Sequence, residues 1–76
     1  MEEIEEKIMV KTLESMNEKI RIGHTVKYRG KEVQELNVIR IRQGFRVFKR
    51  VYVKYSDGTV NVLSFSDFLS RRIETE

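Results

Sequence analysis

Between Phe45 and Tyr55 the residue types sort by parity. Odd positions are Phe45, Val47, Val51, Val53 and Tyr55, apolar apart from Lys49, while even positions alternate cations with rings: Arg46, Phe48, Arg50, Tyr52, Lys54. In a β-strand successive side chains point to opposite faces, so the even set would form one surface of guanidinium, ammonium and aromatic groups. Such groups neutralise phosphates and stack on bases. Nucleic acid, DNA or RNA, is therefore the expected partner. Arg40, Arg42, Arg46, Arg50 and Lys54 are the candidate phosphate contacts, and Phe48 and Tyr52 the candidate stacking rings. Nothing in the chain reads as a helix that could address base edges, so weak sequence preference is expected. The alternative is a protein-interaction module, with the same cationic face docking an acidic partner or the helix stripe described below making a homodimer.

Other chemistry is poorly supplied. His24 is the single histidine and follows Gly23 at a strand entrance, a place for a surface or turn residue. Ser64, Ser66 and Ser70 lie near Asp67, yet no G-x-S-x-G surrounds them, so helix capping is their expected role. Gly30-Lys31 ends like a phosphate-binding loop, but position 25 is Thr25 where that motif needs glycine and position 32 is Glu32 where it needs a hydroxyl. The Glu2, Glu3, Glu5, Glu6 cluster lacks His, Cys or an Asp-rich loop beside it and reads as a solvated helix face. No catalytic residue, metal site or cofactor is expected.

Seventy-six residues without cysteine make one small domain with no disulfide or thiolate metal site. At that length folding buries only about 60% of the unfolded chain's surface, which leaves little room for an enclosed active site. The net charge of +3 is unevenly spread: −4 over residues 1–18, +9 over 19–72 and −2 over 73–76. A cationic body of this kind is steered toward polyanions with salt-sensitive affinity, although high charge also serves solubility and heat adaptation. The first apolar cluster, Ile8 to Val10, is too short for a membrane span or signal core, and a soluble cytoplasmic protein is expected.

The elements that position these residues follow from periodicity. Ile4, Ile8, Met9, Leu13, Met16 and Ile20 form a stripe at helical spacing, with glutamates in the first turn, predicting a packing helix over about residues 1–19. Ile22, Val26 and Tyr28 lead into a turn at Arg29-Gly30-Lys31, and Val33, Leu36, Val38, Ile39 and Ile41 form a second strand, whose adjacent Val38 and Ile39 imply a β-bulge. A three-residue loop Arg42-Gln43-Gly44 would pair Ile41 with Phe45 and Ile39 with Val47, and would set Arg40 across from Arg46, a repulsion that an anion would relieve. Asp57-Gly58 reads as a type I′ hairpin turn pairing Tyr55 with Val60, Val53 with Val62, Lys54 with Asn61 and Tyr52 with Leu63. With Phe65 extending it, the second face is partly greasy, and the helix is the spare element that could cover it, burying Tyr52 and Phe48. Ser64 to Asp67 has capping-box character, with Phe68, Leu69 and Ile73 on the buried side of a short helical turn.

Gly23-His24-Thr25-Val26-Lys27-Tyr28-Arg29-Gly30 looks like a first strand entering a turn, and Val51-Tyr52-Val53-Lys54-Tyr55-Ser56-Asp57-Gly58-Thr59-Val60 like a closing hairpin. Over about residues 20–70 the chain thus resembles the SH3-like small β-barrels, which include Tudor, KOW and Sm-type modules. The resemblance implies a mainly β (α+β) fold: an N-terminal helix on residues 1–19, packed on a strongly bent five-stranded antiparallel barrel within residues 20–76 that ends in a short helical turn. That superfamily hosts both nucleic-acid and protein binders, so the likeness does not choose between the two functions.

Overall fold

Glu2–Arg21 forms helix α1, with Lys19 and Arg21 in its last turn, where the helix dipole favours cations. It ends in a Schellman motif: Gly23 takes φ +103°, its N–H donates to the Ile20 carbonyl at 3.1 Å, and the His24 N–H donates to the Lys19 carbonyl at 2.9 Å. The computed structural model describes residues 2–76, and side chains in α1 from Glu5 onward, so Glu2, Glu3 and Ile4 lie outside the described side chains.

The strands are β1 (Val26–Tyr28), β2 (Lys31–Gln43), β3 (Arg46–Tyr55), β4 (Val60–Leu63) and, after the five-residue helix α2 (Phe65–Leu69), β5 (Ile73–Thr75). They form one antiparallel sheet in the order β4-β3-β2-β1-β5. The sheet is not closed into a barrel: β4 and β5 are its two edges. Ile73, expected in the helical turn, instead lies on β5 opposite Tyr28. Ile22, expected at the head of the first strand, is exposed beyond the end of α1.

Both long hairpins differ in register from the sequence expectation, and the shorter and longer loops change places. The β2–β3 turn is the two-residue Gly44-Phe45, closed by Gln43 opposite Arg46. Gly44 at φ +63° followed by Phe45 without positive φ is the type II′ pattern, which demands glycine at its first central position only. The β3–β4 connection is the longer one: Lys54 pairs with Val60, the Tyr55 N–H donates to the Thr59 carbonyl at 2.9 Å, and Gly58 takes φ +90°. Asp57 fixes this loop by accepting from the Thr59 N–H (2.9 Å) and hydroxyl (2.6 Å). These bonds, with Lys31 beside them, hold its carboxyl down at about 2.

The physical reason lies at the base of the hairpin. Leu36 opposite Val53 and Val38 opposite Val51 face α1, and a one-residue slip would turn every one of these side chains outward. The bulge falls between Val33 and Glu35, not at Val38-Ile39, and the extra residue Gln34 lets both Val33 and Leu36 reach the core. Beyond it, Val38 and Ile39 simply alternate.

The core joins Met9 and Leu13 of α1 to Val26, Tyr28, Val33, Leu36, Val51, Val53, Tyr55 and Phe68. Phe68 stacks on Tyr28 with ring centroids 4.9 Å apart, and the Tyr28 hydroxyl donates to the Phe68 carbonyl at 2.9 Å. Ser64 caps α2 by accepting from the Asp67 N–H at 3.2 Å, as its spacing implied, but Leu69 points to solvent. A side chain the periodicity did not single out fastens α1 to the sheet. Asn17 donates through Nδ2 to the Leu36 carbonyl at 2.6 Å and accepts at Oδ1 from the Leu36 N–H at 3.0 Å. Strand β1 pairs with β2 only at Lys31 and Glu32, so the Asn17 amide takes the place of a strand partner farther along that edge.

Replacing Asn17 with alanine removes both bonds from a part-buried backbone and should lower stability by about 2 kcal/mol in urea denaturation; an unchanged midpoint would refute the clamp. Asp57 is depressed in the folded state, so its contribution is fully present above the ordinary carboxylate range near pH 4 and is lost as pH falls toward 2. Asp57→Asn should therefore flatten the acid limb of the stability curve in that window.

Candidate nucleic-acid interface

Strand β3 pairs with β2 from Arg46 to Tyr55, and the one irregularity of that ladder lies on β2. Its parity therefore holds from end to end. Val51, Val53 and Tyr55 are buried toward α1, while Arg46, Phe48, Arg50, Tyr52 and Lys54 share the opposite face. Helix α1 lies on the odd side, which answers the open question of whether it covers Phe48 and Tyr52: it does not. Both rings are half-buried among their strand neighbours and neither belongs to the core. The Arg50 guanidinium sits 5.2 Å from the centre of the Phe48 ring, a cation–π arrangement that keeps both groups at the surface.

The register brings different neighbours to this face from those expected. Ile39 lies opposite Arg50 and Ile41 opposite Phe48, while Val62 and Val60 lie opposite Tyr52 and Lys54. Leu63 turns inward against Val51, and Phe65 packs partly on the core, so the greasy end comes from Val60 and Val62 instead. The result is a mixed surface in which three cations stand among rings and β-branched side chains.

Arg40 and Arg42 do not join it. Arg40 lies opposite Lys49 and Arg42 opposite Val47, on the face that looks toward α1. There Glu6 receives Lys49 at 2.6 Å and Arg40 at 3.1 Å. These two cations hold the Glu6 carboxyl below the usual carboxylate range, Lys49 contributing more. Part of the expected acidic helix face is thus a neutralising strut for the inner side of the β2–β3 ribbon, and Arg40 is compensated within the fold. The expected clash of Arg40 with Arg46 does not arise. Phe45 is also displaced: counted with the apolar odd set, it stands in the turn, wholly exposed.

Elsewhere the chemistry is sparse. His24 is exposed, with Nδ1 3.3 Å from the Glu76 carbonyl oxygen, and Ser70 donates to the Asp67 carbonyl at 2.6 Å as a C-terminal cap of α2. Among the described residues no group of His, Cys, Asp and Glu is placed to hold a metal ion, and no helix is long and apolar enough to cross a membrane.

The facing of β3 can be checked with a tyrosine-selective nitrating reagent. Tyr52 should be modified first, while Tyr28 and Tyr55, each at most 2% exposed, should stay protected until unfolding; early modification of Tyr55 would mean the parity is inverted. Comparison of the chain with protein-family models, with curated proteins and with solved structures finds no match.

Proposed function

We propose that this protein is a small non-enzymatic nucleic-acid-binding module that uses the even-numbered face of β3. The observation that carries the reading is the unbroken parity of Arg46, Phe48, Arg50, Tyr52 and Lys54 on a sheet face that α1 leaves open. Arg46, Arg50 and Lys54 neutralise phosphates, and Phe48 or Tyr52 stacks on a base. Stacking is tolerant of base identity, so sequence preference is weak. Arg40 and Arg42, on the other face, contribute to the field of the cationic body and not to this surface. Kinship with the SH3-like modules and residence in the cytoplasm belong to the same proposal.

A second reading is favoured by Ile41, Val60 and Val62, which are 41%, 43% and 46% exposed on the same face. Apolar groups framed by cations also suit an acidic protein or a second copy of the chain.

Retention on an oligonucleotide column that collapses with moderate salt supports nucleic acid, whereas a concentration-dependent mass in light scattering supports self-association. Replacing Arg46 and Arg50 together with glutamine should weaken binding and reduce the slope of log affinity against log salt by about 1.8 on duplex DNA. Arg40→Gln should leave the slope near that of the parent. Equal slopes for the double variant and the parent would refute the assignment.

A further inference from the structure

Among the described residues, β3 has no strand partner on its β4 side beyond Val51, and β1 has left β2 by Glu32, so the end of the β2–β3 hairpin is a two-stranded ribbon. Five paired residues on each strand extend it by about 17 Å. At its tip stands Phe45, 105% exposed, with Val47 beside it at 54%. The turn does not ask for this ring. A type II′ turn needs glycine at its first central position, which Gly44 supplies, and the next position accepts small polar residues.

The charge around the ring is one-signed and two-sided. From Leu36 to Ser56 the chain has no Asp or Glu; Arg42 and Arg46 stand nearest the turn with Arg50 behind them, while Arg40 and Lys49 are paired with Glu6 of α1. Arg42 and Arg46, the cations nearest the turn, fall on opposite faces. A single strand lying on the sheet needs cations on one face only. Cations on both faces with an apolar ring at the point match a groove walled by two phosphate backbones and floored by stacked base pairs. Proteins that kink duplexes drive apolar side chains, phenylalanine among them, between base steps.

We infer that the β2–β3 hairpin is an arm for duplex nucleic acid, with Phe45 wedging into a base step while Arg42 and Arg46 meet the phosphates on either side. The inference rests on the nucleic-acid reading above and adds the form of the partner and the residue that deforms it. It also returns Arg42 to the contact surface, by a route different from the shared strand face.

The experiment uses the full chain, the parent and Phe45→Ser and Phe45→Leu variants, with a short duplex carrying fluorophores at both ends and an aminopurine in the stack, and the matching single strand. The parent should shorten the end-to-end distance and brighten the aminopurine on binding the duplex. Phe45→Ser, at a solvent-exposed turn, should bind about tenfold more weakly while leaving the duplex straight and the salt slope unchanged, because a stacked ring is lost and no phosphate contact is. Phe45→Leu should keep part of the kink. A duplex that stays straight and stacked under the parent, or bends equally under Phe45→Ser, overturns the wedge; if the parent still holds the single strand, the proposed function survives that loss. Failure to bind either strand form removes both. A mass doubling abolished by Phe45→Ser would assign the ring to self-association and overturn the wedge.

Discussion

An unbroken strand can present only alternate side chains to each face, and β3 runs ten residues under that constraint. Its odd residues Val51, Val53 and Tyr55 lie in one core cluster with Met9, Leu13, Leu36 and Phe68. Once those are dry, the even residues have no choice of side. Phe48 and Tyr52 remain outside because a single-residue slip would exchange them for the valines and empty the core. Burial of the odd set is therefore what presents the cation-and-ring set.

The same sheet distributes charge in a way that its composition conceals. Glu6 reaches from α1 to Arg40 and Lys49, so the acidic start of the chain neutralises part of the inner side of the ribbon. Ion pairs at the surface contribute little to stability, and the effect of these two half-covered ones is on the field: uncompensated cation density is left on the outer face and at the ribbon tip. The Asn17 amide ties α1 to β2 at Leu36, and Glu6 on the same helix meets Arg40 farther along that strand.

Much of this was legible in the residues. Helical spacing located α1, whose Met9 and Leu13 are core; Gly30 and Gly44 lie in turns and Gly58 in the loop expected to hold one; alternation identified β3; and the Ser64 cap was visible in its spacing to Asp67. The hairpin registers were not, because turn preference and core pairing gave different answers. Burying Phe45 against Ile41 looked favourable locally, yet the paired Leu36–Val53 and Val38–Val51 contacts under α1 outweigh it and leave Phe45 in the turn. Asn17 carried no periodic signal, since its partners are backbone groups of a strand nineteen residues away.

By itself, then, the amino-acid order determined which residues of β3 must share a face, that a helix would precede the sheet, and that the body of the chain would be cationic. Those are consequences of parity, helical period and composition, which act over a few residues. Tertiary structure alone decided which face α1 covers, that β4 and β5 stay as open edges, and that Arg40 and Arg42 stand away from Arg46. The last of these depends on one extra residue at Gln34 and on the buried pairs it aligns, and such a displacement propagates down the β2–β3 ladder without leaving a mark in local pattern.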